Sequence, residues 1–139
     1  MDRMTKLTIK CKVMQYPHLR SKIADEIADV AEKGSSSGVS GGYSSTRNTN
    51  GFDERLARIM SKEDYLWCKA VESSVNYFNE RGREEIVNTV DELHWKSRLN
   101  ADGVALKIHV SRRRVYDYLD TFYEIVHKFA IKSGVAGIE

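Results

Sequence analysis

A single proline, Pro17, stands in a chain of 139 residues, so nothing prevents long uninterrupted helices elsewhere. Cysteine is nearly as scarce. Cys11 and Cys68 lie far apart and make neither a CxxC pair nor a disulfide framework, which excludes a small secreted fold stapled by bridges. No apolar run approaches the ~20 residues that a bilayer-spanning helix needs. The first residues, MDRMTKLTIKCK, lack the continuous apolar stretch of a signal peptide. These absences point to a soluble, intracellular protein with no membrane partner. A large excess of one charge is also missing. The net charge is +2, which by itself argues neither for nor against a nucleic-acid partner.

What is present suffices for one packed domain. Hydrophobic residues make up 41% and charged residues 30%, and seven Tyr, four Phe and two Trp supply core material. One segment stands apart. Residues 34–51, GSSSGVSGGYSSTRNTNG, cannot bury enough apolar surface to offset their chain entropy and are expected to form a flexible linker. A phosphate-cradling loop is the weaker reading, because no Gly-Lys-Ser/Thr follows and no hydrophobic strand precedes.

Residues 1–33 are expected to form an N-terminal helical segment. Leu19, Ile23, Ile27 and Val30 recur at helical spacing, Pro17 suits a first turn, and Gly34 suits a C-terminal cap near Lys33. Residues 4–15 fit two patterns: Met4, Leu7, Cys11 and Met14 mark a helix, while Leu7, Ile9, Cys11 and Val13 alternate as in a strand. The lack of a second strand to pair with favours the helix. Beyond the linker, residues 52–139 are expected to form a helical domain. Phe52, Leu56, Ile59, Met60, Leu66, Trp67, Ala70, Val71, Val75 and Phe78 keep one apolar face, predicting a long helix over 53–80 that ends at Gly82. Its length makes it a candidate spine or homo-oligomer face. A second helix, about 83–97, carries Ile86, Val87, Val90 and Leu93 inward. The expected fold is all-α: a small helical domain with a C-terminal helix-turn-helix.

That last unit rests on residues 101–131. Ala105 is the small residue where two helices cross, and Val104, Ile108, Val110, Val115 and Tyr118 occupy the apolar hub. His109 takes the left-handed turn position that glycine would fill most easily, and Ser111 suits the N-cap of the next helix. Val115, Leu119, Phe122, Val126 and Phe129, flanked by Tyr118 and Ile125, then point one way, while Arg113, Tyr116, Asp117 and Asp120 point the other. Residues 83–139 hold nine Lys/Arg against nine Asp/Glu, yet Lys107–Arg114 contains four cations and no carboxylate. Locally basic on a neutral background, this is the footprint of a small nucleic-acid docking surface. Arg112 and Arg113 with Tyr116 would face bases, Lys107 and Arg114 would face phosphates, and Asp117 would accept from cytosine or orient Arg113. The DNA-binding candidates are therefore Lys107, Ser111, Arg112, Arg113, Arg114, Tyr116 and Asp117. Three arginines at a helix N-terminus oppose the dipole by ~0.3–1 kcal/mol each, so an anionic partner would compensate.

Catalytic or metal chemistry has less support. Glu84, Glu85, Asp91 and Glu92 lie mostly off the Ile86–Val90–Leu93 face, as a solvated surface would. His18, His94, His109 and His127 show no ligand spacing, and Cys68 beside Trp67 reads as a small buried hydrophobe. No enzyme activity, cofactor or metal is expected.

The layout resembles the phage late-gene transcription activators of the RinA type and the related ArpU-type regulators. The resemblance runs from Tyr16-Pro17 and its helix through a polar insertion and a long central helix to LHWKSRLNADGVALKIHVSRRRVYDYLDTFYEIV, its specific part. It implies a domain similar to sigma-factor region four, whose last helix reads double-stranded DNA upstream of a late promoter through Ser111, Arg112, Arg113, Tyr116 and Asp117. It also implies host RNA polymerase as a partner and the bacterial cytoplasm as the location. The long Gly/Ser insertion departs from the family. Two other readings stand beside it: a small terminase subunit that marks viral DNA for packaging, and a helical protein-interaction module whose interface is the helix over 53–80.

Overall fold

The computed structural model describes residues 2–38 and 54–135, and all the regular structure among them is helical. Helix α1 runs Arg3–Gly38, α2 covers residues 54–61, and α3 spans Glu63–Glu80. Helix α4 is Glu84–Val90 and continues without a break into a single π-helical turn, Asp91–Trp95. Helix α5 is Ala101–Ile108 and α6 is Arg112–Ser133. The chain is thus all-α, as its periodicity predicts. No helix among the described residues is long and apolar enough to cross a membrane.

The N-terminal region differs from expectation in three ways. Residues 4–15 are helical, but they are continuous with 19–30, so Pro17 sits inside α1 rather than in a first turn. The helix does not stop at Lys33 under a Gly34 cap; its backbone continues to Gly38, taking in the first residues of the expected linker. The rest of that segment, with Phe52, lies outside the described residues. Finally, the buried face is Ile9 and Val13, both fully covered, whereas Met4 (72% exposed), Leu7 (47%) and Met14 (47%) face outward. The 4-7-11-14 spacing correctly marks a helix but picks out its wrong side.

The structure supplies the reason. A helical residue at 17 would donate its N–H to the carbonyl of residue 13, and proline has none to give. The Val13 carbonyl is instead bonded by the indole N–H of Trp95, at 2.8 Å. Trp95 packs its ring against Tyr16 of α1 (centroids 5.3 Å apart) and edge-on to Phe122 of α6 (6.3 Å). The defect in α1 is therefore a docking point, and it fixes which face of α1 turns inward.

The helix predicted over 53–80 is interrupted at Lys62, so α2 and α3 are separate pieces. Their apolar faces serve two clusters. Ile59 and Cys68 join Leu19 and Ile23 of α1 in a small one. Trp67, Ala70, Val71 and Phe78 enter the main core with Ile86, Val90, Val104, Val115, Leu119, Phe122 and Val126. Helix α3 packs most extensively on α6 and next on α1. Much of the face proposed for oligomerisation is consequently buried within the chain, while Met60 at the end of α2 stays exposed. Cys68 is the buried small hydrophobe expected, its thiol pushed up to about 11, chiefly by burial. Gly82 ends the α3 region as predicted: at φ +70° it lets the Arg83 N–H reach back to the Phe78 carbonyl at 2.8 Å, closing the last turn.

The pairing of Val13 with Trp95 makes a test of non-additivity. Trp95→Phe keeps the ring but orphans a buried carbonyl, and is expected to lower stability by about 1–3 kcal/mol in urea unfolding. In a Pro17→Ala background, the new amide satisfies Val13 internally, so most of that loss should vanish. Equal losses in the two backgrounds would contradict the account.

Candidate nucleic-acid interface

The segment joining α5 to α6 is built by backbone chemistry at each step. Asn100 caps α5, its side-chain oxygen accepting from the Gly103 N–H at 2.9 Å. His109 takes the left-handed conformation, φ 61° and ψ 46°, and the Val110 N–H returns to the Ala105 carbonyl at 3.0 Å. Ser111 is extended and its hydroxyl accepts from the Arg114 N–H at 3.1 Å, opening α6. Val104, Ala105 and Val115 are buried beneath, with Ile108, Val110 and Tyr118 packed against them. His109 has the left-handed backbone, and Ser111 the cap, expected of them. Asn100 was not singled out, although an Asn three residues before Gly103 is a legible cap signal.

Helix α6 then separates its faces. Leu119, Phe122 and Val126 point inward, joined by Tyr123 and Ala130, which the pattern did not select. Arg113, Arg114, Tyr116 and Asp117 are exposed together on its first turns. Asp120 also faces outward but is half-buried, because Lys6 of α1 closes on it at 2.6 Å.

The three consecutive arginines are not equivalent. Arg112 leans back: its guanidinium lies 3.6 Å from the Asp102 carboxylate of α5, 3.5 Å from the Tyr116 hydroxyl, and over the Tyr116 ring. Arg113 and Arg114 have no ion-pair partner among the described residues. The expected Arg113–Asp117 pair one turn apart does not form, so Asp117 is not what orients Arg113. Lys107 is exposed as expected, but its ammonium is held at 2.6 Å by Glu92.

Glu92 corrects the acidic-stretch reading. It is buried rather than solvated, and so is His94. The backbone makes a π turn here, the Lys96 N–H bonding the Asp91 carbonyl five residues back, at 2.8 Å. One extra residue in the turn swings the following side chains by roughly 100° from a regular helix. Glu92 then accepts from Lys107 of α5 and from Lys96 at 3.0 Å, and these two cations hold its carboxyl below the usual range. A groove of about 610 Å³ opens here, lined on its polar side by Glu92, Lys96, Arg98 and Lys107. Lys96 and Arg98 thus add cations near the turn that motif reasoning missed. His94 stacks on Tyr123 and shares a hydrogen bond with its hydroxyl. Among the described residues no group of three or more His, Cys, Asp or Glu side chains is arranged to hold a metal ion.

No family model, curated protein or solved structure matches this chain.

Burial, with a smaller push from Lys10, holds the His94 imidazole neutral down to about 4. In the unfolded chain it would take up a proton near 6.5. Above 6.5 both states are neutral and the contribution is fully present. As the pH falls from there toward 4, the unfolded chain binds a proton that the folded one refuses, and stability drops. The loss between pH 7 and pH 5 is on the order of 2 kcal/mol. His94→Gln should flatten this part of the profile in thermal unfolding at the two pH values; an unchanged pH dependence would contradict it.

Proposed function

We propose that this chain is a sequence-specific, duplex-DNA-binding transcription regulator, with the Ala101–Ser133 region acting as a DNA-reading helix-turn-helix. The observation that carries the reading is the exposed start of α6. Arg113 and Arg114 project from a helix end fixed by the Ser111 cap and the His109 turn, with no carboxylate bound to either among the described residues. Two cations at the positive end of a helix dipole raise the energy of the unliganded protein, and phosphate or a guanine edge relieves that cost. The first turns of a helix rising from a tight turn are also where major-groove readers place their base contacts.

Within this reading the three arginines divide the work. Arg113 is the base reader, suited to the O6 and N7 of guanine. Arg114 is a phosphate contact. Arg112 is a positioning residue, braced by Asp102 and holding the Tyr116 ring in place. Lys107, engaged by Glu92, stabilises the approach of α5 and contributes only part of its charge to phosphate. The resemblance to RinA- and ArpU-type activators extends the proposal to a phage-encoded activator of late genes, acting at a promoter with host RNA polymerase.

A small terminase subunit would need a self-complementary face for its ring, and the α3 part of the helix nominated for that role has most of its apolar side buried on α1 and α6, leaving Met60 of α2 as its exposed large apolar side chain. The same burial counts against an interaction module built on that helix.

Selection from a random duplex pool at physiological salt is expected to enrich a discrete site. On that site Arg113→Ala should lose about 1–3 kcal/mol, roughly 5- to 150-fold, with little change on unselected DNA. Arg114→Ala should weaken both alike. Equal losses for the two variants on both kinds of DNA would count against base readout by Arg113.

A further inference from the structure

Helix α1 carries a second line of cations that the α5–α6 region does not explain. Arg3, Lys6 and Lys10 recur at i, i+3 and i+7, so they share one flank of the helix, and all three are exposed. Between Asp2 and Asp25 the helix contains no carboxylate at all. The flank is held in a fixed register against α6. Ile9 and Val13 are fully buried in the main core, and Lys6 reaches Asp120 of α6 at 2.6 Å. Lys10, one turn further along α1, acts on His94, which stacks on Tyr123, one turn further along α6. Arg3 stands one turn before Lys6 on α1, on the N-terminal side of the contact with Asp120. Neither Arg3 nor Lys10 has an ion-pair partner among the described residues.

From this arrangement we infer that the N-terminal half of α1 is a second DNA-contacting element, resting on the duplex-DNA reading above, in which Arg3 and Lys10 grip the phosphate backbone beside the groove entered by α6. Lys6 has a different part in it. Asp120 stands on the outward side of α6, where a bare carboxylate would repel phosphate. Lys6 cancels that charge, so it is a positioning residue and not a phosphate contact. The arrangement gives the surface two cationic rails, one at the start of α6 and one along α1, with the neutralised Asp120 between them.

The test is the salt dependence of binding to a labelled duplex of unselected sequence, followed by fluorescence anisotropy over a KCl series. Removing one cation that neutralises a phosphate lowers the slope of log affinity against log salt by about 0.9. The double variant Arg3→Gln/Lys10→Gln is expected to be shallower by nearly two. Asp120→Asn, which releases Lys6 to the backbone, should steepen the slope by nearly one and tighten binding. Lys6→Gln should weaken binding, and Asp120→Asn should restore it when the two are combined. Arg3, Lys6 and Lys10 are exposed, so unchanged melting temperatures are expected of their variants and would show that they fold. Slopes unchanged by every α1 variant, alongside a weakened Arg114→Ala, would overturn the inference and leave the regulator reading standing. Absence of any salt-dependent duplex binding by the unaltered protein would overturn both.

Discussion

The turn Asp91–Trp95 is where three parts of the chain are tied together, and it works because one backbone carbonyl has no partner of its own. Pro17 leaves the Val13 oxygen unbonded in the middle of α1. An unbonded carbonyl in a covered position costs as much as a lost hydrogen bond, so a donor has to arrive from outside the helix. Trp95 supplies it. Winding this turn as a π-helix lets neighbouring residues serve different helices at once: Trp95 meets α1, Glu92 meets Lys107 on α5, and His94 meets Tyr123 on α6. Through that turn the orientation of α1 is linked to the setting of the candidate DNA-reading unit.

The polar groups in this hub are placed so that none is left charged and alone. His94 is neutral in its buried position, and the buried side chain of Glu92 ends on two lysine ammonium groups. Removing a charged partner from such an arrangement is more damaging than never having installed it. The surface above is treated in the opposite way. Arg113 and Arg114 are exposed without carboxylate partners, at the end of a helix whose dipole repels them. Under the DNA reading, the interior network holds the arginines still and the solvent-facing chemistry recognises phosphates and bases.

The C-terminal unit was the most legible part of the sequence because every step in it is local. An αL-tolerant residue at 109, a hydroxyl at 111 and a 3.6-residue apolar stripe from Val115 each act over a few residues, and all three took their expected places. The helix over 4–15 was legible too, but its inward face was not. Met4, Leu7, Cys11 and Met14 make as good a stripe as Ile9 and Val13, and the choice between them is made by a hydrogen bond from 82 residues away. The break at Lys62 and the π turn escaped for the same reason. No composition rule marks DELHW as π-helical, and nothing local shows that Lys107 will close over Glu92. The pairing of Lys107 with Glu92, of Arg112 with Asp102 and of Lys6 with Asp120 likewise belongs to tertiary structure. Sequence identified Lys107 and the three arginines; only the fold distinguishes the paired from the unpaired.

The central claim is that the exposed start of α6 meets duplex DNA while the hub beneath it stays as it is. Titrating 15N-labelled protein with a duplex carrying its selected site, and following the amide and indole resonances, tests it directly. The account predicts large shifts confined to residues 109–117 and the first turns of α1, with the Trp95 indole signal unmoved. Shifts centred on α2 and α3, or none at all at saturating DNA, would contradict it.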